Sequence, residues 1–422
     1  MSIETTVAAV EAVGPAAAAA LLKTHKTSRI AHARAISSEF DILRQVARAL
    51  EPHIDTITAR VDTGPEVIRR FAGYAREHDI SWWFMKGFAL RDRYPQGLPR
   101  DVGDMDVQVS TLDDAWRLAR LLREDGYGYP DGEVPWFKRD ITTGELYGQV
   151  RVVTPRRDRV SVDFHAGPYS VRHCGRMHLG QGPSMPSEGP LSWVDNICCV
   201  LGNAAGDCFI DLKTVNDIVL CLPELHDASA LHARLDEAGL LPFLTTCLDR
   251  VARWSRLDAR QQDQLARLMP DCTAEPEPPL LDDQPGFRLS VTVDHARAVA
   301  RRWFPDDPTR VEQVAATAAE AYGNEHPLRL ATSDETRPAR LPELNNWTCV
   351  RLVPAALAQR VLDPAGHLDA PRAQPRLSAL TEEVTVAGHD CGDLVTAIGD
   401  TFVPTVDFAL TPGLVATAYG AT

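Results

Sequence analysis

Hydrophobic and polar positions change period twice before the middle of this chain. Residues 1–75 follow a helical period. SEFDILRQVARAL places apolar side chains on one helical stripe, and Ser38 with Asp41 has the spacing of a capping box. GPEVIRRFAGYAREHDI predicts a second helix with Pro65 in its first turn. The texture then shortens. SWWFMKG is an aromatic run closed by a glycine and predicts a buried strand, FALRDRYP a short helix or turn, and DMDVQV a second strand. TLDDAWRLARLLREDGY returns to the helical period, with Thr111 as N-cap and Gly126 at its end. WFKRD, LYGQVRVVT and RVSVDFHAG predict a meander of strands.

From Leu191 to Leu268 the helical period resumes in segments with short connections, as in a bundle. TAEPEPPLLDDQPG, rich in proline and acid, predicts a linker. VDHARAVARRWF and RVEQVAATAAEAYG look helical, and the tail from about Gln374 alternates short β-like runs with Gly and Pro. The expected fold class is α+β: a small mixed sheet flanked by helices, then a helical bundle and a further C-terminal region. The expected organisation is a helical segment 1–75, a palm-like unit 76–170, a helical domain 190–270, a linker 273–287 and a C-terminal region 288–422.

Length and charge narrow the function classes. A chain of 422 residues can bury a core without disulfides or a structural metal. Its formal net charge of -14 lacks the basic footprint of a generic nucleic-acid binder, although a local pocket can still hold a nucleotide. No apolar run approaches the length of a membrane span. The Ala-rich N-terminus lacks the basic start of a signal peptide. Nine scattered cysteines are expected as reduced thiols in the cytoplasm, with Cys198 and Cys199 packing in helices.

The chemistry concentrates in PRDVGDMDVQV. Asp104 and Asp106 alternate with Met105 and Val107, so in a strand both carboxylates project from one face. Like charges side by side destabilise a strand unless something neutralises them. RVSVDFHAG places Asp163 on one face with Ser161 and His165. Three converging carboxylates make a hard oxygen site suited to Mg²⁺. A pair of such ions can clamp a triphosphate and stabilise departing pyrophosphate. FMKGFAL adds a strand that turns at Gly87 into a short helix, with Lys86 beside it, a place where free amides favour phosphate. Phe88 follows the glycine and threatens to narrow that space. Arg100 stands just ahead of the acids. Lys213 and Asp217 lie one helical turn apart, the spacing of an ion pair.

Other motifs carry less. VRHCGRMH lacks a second ligand pair for zinc. GYGYPDG follows a helix instead of a strand, which excludes a dinucleotide fingerprint. KTHKTSRIAHAR is expected as a solvated basic helix face.

MKGFALRDRYP, PRDVGDMDVQV, REDGY and VDFHAG together resemble the nucleotidyltransferase superfamily, and within it an uncharacterised bacterial branch with a Lys-Gly-x-Ala-Leu turn and a Gly-Asp-x-Asp strand. The resemblance covers roughly residues 66–222. It implies a polymerase-β-like palm in which Asp104 and Asp106 match the metal pair, Asp163 the third carboxylate and Gly87 the phosphate turn. Lys86, Arg100 and His165 are candidate nucleotide-side residues by their positions, and Lys213 joins them because a helix at this place in related enzymes can lend a basic residue to the triphosphate. The expected activity is Mg²⁺-dependent transfer of a nucleoside monophosphate from ATP or another nucleoside triphosphate to a small molecule or peptide. A non-catalytic accessory protein on the same fold, or a protein-modifying, antitoxin-like enzyme, are the alternatives.

Overall fold

A computed structural model describes residues 3–270, apart from 96–97, 130–134, 141–142, 157–158, 172–175, 181–185, 208–209 and 226–227. Beyond them it describes parts of 293–316 and residues 348–354, 384–389, 392–397 and 399–408. The expected linker 273–287 lies outside the described residues, as does most of the helical pattern that follows it.

The chain opens with α1 (Ile3–Val13), α2 (Pro15–Thr24) and α3 (Ser28–Ala35), which pack on the start of α4 (Asp41–Glu77) through Val46, Ala47 and Leu50. Two helices were expected where α4 runs unbroken for 37 residues with Pro52 and Pro65 inside it. Proline removes one helical donor and crowds the preceding turn. Burial of Ile57, Gly64, Val67, Phe71 and Ala75 on one side of α4 outweighs that penalty. The expected capping box is not made: the N-cap is Phe40, which has no side-chain acceptor, and Ser38 Oγ accepts from the Phe40 amide instead.

The palm follows as β1 (Trp82–Phe84), α5 (Lys86–Leu90), a 3-10 turn at Arg91–Arg93, β2 (Asp104–Val109), α6 (Leu112–Glu124), β3 (Trp136–Arg139), β4 (Leu146–Val152) and β5 (Ser161–Ala166). Thr111 caps α6 by accepting from the Asp114 amide at 3.1 Å, and Gly126 past its end takes φ 86°. Two short strands, β6 (Tyr169–Ser170) and β7 (Arg176–Met177), pair with each other, and β8 (Glu188–Pro190) runs parallel to β1. Helices α7 (Trp193–Asp207), α8 (Leu212–Cys221), α9 (Ala228–Glu237), α10 (Leu241–Trp254) and α11 (Ala259–Leu268) enclose their own core around Ile197, Leu201, Ile218 and Leu248. Cys198 and Cys199 are buried free thiols within it.

β9 (Thr348–Pro354) was not expected, and the β-like runs after Gln374 become β10 (Val384–His389), β11 (Gly392–Ala397) and β12 (Asp400–Phe408). Among the described residues ten strands share one sheet, in the order β10-β11-β12-β9-β3-β4-β5-β2-β1-β8. The fold is α+β. One face of the sheet is apolar: Met105, Val107, Val109, Val150, Val162 and Phe164 meet α4 and α6 in the main core. Because side chains alternate, the other face receives Asp104, Asp106 and Gln108 from β2, Asp163 and His165 from β5, and Gln149 and Arg151 from β4.

Candidate active site

Strand register builds the site. β2 and β5 run side by side in parallel with Asp106 opposite Asp163, and β4 lies antiparallel on the other side of β5 with Arg151 opposite Asp163. Cross-strand neighbours on one face touch, so this register forces these charges together. Asp106 and Asp163 are buried, whereas the Asp104 side chain keeps 37% of its exposure at the mouth.

Cations of the chain answer the repulsion expected of these acids. Lys86 Nζ lies 2.8 Å from Asp106 Oδ1, and His165 Nε2 lies 3.0 Å from the same oxygen. Arg151 Nε lies 3.1 Å from Asp163 Oδ1, and its Nη2 lies 3.6 Å from Asp104 Oδ2. Gln149 Nε2 donates to Asp163 Oδ2 at 2.8 Å. The Lys86 ammonium also stands 5.5 Å from the centre of the Tyr169 ring.

Burial and charge pull the titrations apart. Burial by itself would raise the Asp106 pKa, but Lys86 and His165 hold it far below the ordinary carboxylate value. Burial would strip the Lys86 ammonium of its proton, and Asp106 reverses that and raises its pKa. Asp163 is the opposite case. Burial, with the Asp104 and Asp106 charges adding to it, pushes its carboxyl up to about 8 against the pull of Arg151. Burial lowers the His165 pKa, so its ring is neutral near pH 7 and carries the Nε2 proton toward the Asp106 carboxylate.

This donor set fits a hard divalent cation. One ligand atom each from Asp106, Asp163 and His165 lie within 4.8 Å of one another. Asp163 Oδ1 is buried and accepts no hydrogen bond among the described residues, although Arg151 Nε is close by.

The phosphate-turn residues are placed differently from expectation. The left-handed residue is Lys86, at φ 51°, and not Gly87. Asn196 of α7 holds this conformation by accepting the Lys86 amide at 2.8 Å, while donating to the Leu191 and Ser192 carbonyls. That amide is therefore committed to Asn196. Gly87 is required for another reason: a Cβ there would stand 3.0 Å from Arg100 Nη1 and 3.4 Å from Val102 Cγ1. The Phe88 ring does not crowd the turn. It is buried in the main core against Gly64 of α4, with the Arg91 guanidinium 4.5 Å above it.

Arg100 is a structural tie. Its Nε and Nη2 donate to the two oxygens of Asp217 on α8 at 2.8 and 2.7 Å, and Tyr94 adds a third bond at 2.6 Å. Asp217 was expected to pair with Lys213 one turn away, but Arg100 and Tyr94 take both of its oxygens. Lys213 sits in the first turn of α8, where burial lowers its pKa against the pull of Asp211. The basic stretch 23–34 is solvated only in part, through Lys23, Lys26 and Arg34. His25, Thr27 and Ser28 are buried, and the Ser28 and Arg29 amides donate to the two oxygens of Asp101 at 2.7 and 2.8 Å. The positive end of α3 thus clamps the loop that leads into the acids.

Comparison with known proteins now bears on this geometry. The family described as an uncharacterised nucleotidyltransferase matches residues 11–256. The chain belongs to that nucleotidyltransferase family. No curated protein and no solved structure matches it. Membership supports general nucleotidyl transfer, and the matched span is wider than the motifs suggested. It takes in the N-terminal helices that clamp Asp101 and the bundle as far as α10. Sequence reasoning missed Arg151, Gln149, Tyr169 and Asn196. The first two carried a signal, since polar positions alternate with Val150 and Val152 in a strand beside the Asp163 strand. Asn196 gave none, because its partner is 110 residues away.

Proposed function

We propose that this nucleotidyltransferase moves a nucleoside monophosphate, AMP from ATP in the first instance, onto a hydroxyl, amine or phosphate of a small molecule or peptide. The observation that carries this reading is the register that sets Asp106 against Asp163 beside the Lys86–Gly87 turn. Asp104 and Asp106, with Asp163 completing the acidic face, would hold divalent metal, Mg²⁺ by the hardness of the donor set. When bound, the metal supplies Lewis-acid charge to the triphosphate.

The chain's own residues supply the rest. The acceptor oxygen or nitrogen bonds to the α-phosphorus, the bond to the β-phosphate oxygen breaks, and pyrophosphate leaves. Asp163 in its ionised form is the group to receive the acceptor's proton, and a carboxyl raised to about 8 supplies that form increasingly as pH rises through 8. Lys86 and the Gly87 turn, with Lys213 from α8, face the phosphates. Positioning and electrostatics account for most of the expected acceleration.

Equilibrium binding tests the assignment. The wild-type chain should bind a non-hydrolysable ATP analogue only when Mg²⁺ is present. Asp104→Ala with Asp106→Ala should abolish that binding while the circular dichroism stays native. Equal affinity in the double variant would remove these acids from the site.

A further inference from the structure

Resting on this reading, we infer that the site takes a single divalent ion, arriving with the nucleotide, and that Arg151 fills the place of a second. The two-ion arrangement expected from the sequence assumes three carboxylates without cations of their own. The structure shows them already shared. Arg151 spans Asp163 and Asp104 at 3.1 and 3.6 Å, and Lys86 holds Asp106 at 2.8 Å. Each of the three acids therefore already faces a fixed cation of the chain, and the guanidinium lies between two of them. Arginine does not lose its proton in proteins, so its share of the neutralisation is permanent.

Oxygen accounting gives the same answer. Asp106 Oδ1 is engaged by both Lys86 and His165, Asp163 Oδ2 by Gln149, and Asp104 Oδ2 faces Arg151. The contacts of Lys86, His165 and Arg151 with these two acids fall on Asp106 Oδ1 and Asp104 Oδ2, which turns the second oxygen of each carboxylate toward an incoming ion. Two carboxylate oxygens suit one Mg²⁺ that keeps its remaining positions for water and phosphate. A second ion bridging Asp163 to its neighbours would meet the Arg151 guanidinium on the same carboxylates and be repelled by it. A guanidinium can do that ion's electrostatic work, since arginine clamps phosphoryl oxygens with fixed charge and a planar set of donors. It cannot activate an acceptor by direct coordination, which leaves that task to Asp163.

Mn²⁺ can be counted by electron paramagnetic resonance on the full chain with a non-hydrolysable ATP analogue. The wild type should bind one Mn²⁺ per nucleotide complex, with the six-line spectrum of an isolated ion. Arg151→Gln should admit a second ion and show the broadened spectrum of a coupled pair. Arg151→Lys, which keeps a positive charge, should stay at one. A coupled pair in the wild type would overturn the inference while leaving the proposed function intact. A single ion in both the wild type and Arg151→Gln would overturn the role given to Arg151. Loss of both nucleotide and Mn²⁺ binding in the wild type would instead remove the proposed function on which the inference rests.

Discussion

At the scale of single residues, this protein handles buried charge by pairing it across elements. Arg100 and Asp217 show the consequence most clearly. Burial alone would raise the Asp217 pKa, but the Arg100 guanidinium and the Tyr94 hydroxyl hold it below its ordinary value of 3.8. A carboxyl depressed in the folded state contributes stability that is full above the unfolded pKa and fades as pH falls below it. Asp217→Asn should therefore lower stability near pH 7, by about 3–5 kcal/mol for a buried pair left with one partner. The gap from wild type should narrow as pH drops from about 4 towards 3. Urea midpoints at several pH values read both effects, and a gap that stays constant to pH 3 would contradict the assigned shift. The acids of the site were legible at this scale because their spacing and the strand period fix which face they share. The cations that answer them were legible only in part. Arg151 alternates in a recognisable strand, but a strand's partner and register are not written in its own residues.

Elements explain why the turn before the acids has its shape. α4 passes behind α5 at Gly64, and a Cβ there would stand 2.7 Å from the Phe88 ring. Alanine is ordinarily about 1 kcal/mol better than glycine inside a helix. Here the ring is buried and cannot withdraw, so overpacking of about 1–3 kcal/mol should win. Gly64→Ala is expected to lower the melting temperature, and Phe88→Leu added to it should recover part of the loss. A more stable Gly64→Ala protein would show that the ring moves freely. The unbroken course of α4 was hidden in the sequence because Gly64 and Pro65 carry the local signature of a helix start. Tertiary burial of the stripe from Ile57 to Ala75 overrode it. The short elements of the palm, from β1 to β5, were legible because turn residues bound each run and the apolar period switches cleanly between them. The clamp of α3 on Asp101 was not, since it joins residues more than 70 positions apart.

Across the whole molecule, the sheet is the unit of stability and reaches beyond the family match. β9 pairs with β3, and β12 sets Phe402 into the main core, 5.9 Å from Trp116 and 5.2 Å from Tyr129 between ring centres. Arg123 of α6 fixes Asp400 with bonds of 2.9 and 3.1 Å. The C-terminal strands should therefore unfold with the palm. Phe402→Ala should cost about 3–5 kcal/mol and shift a single denaturation transition; two separate transitions would show that the strands stand apart. The β-like texture of the tail was visible in the sequence, but not the sheet it joins, because β9 lies more than 200 residues from β3. Among the described residues no helix is long and apolar enough to cross a membrane. The central claim is that the acids of β2 and β5 form a metal–nucleotide site. A crystal soaked with Mn²⁺ and a non-hydrolysable ATP analogue tests it most directly. The account predicts anomalous density against Asp104 and Asp106, with the triphosphate running toward Lys86. Nucleotide bound elsewhere on the chain, with Lys86 still closed on Asp106 and no metal at the acids, would contradict it.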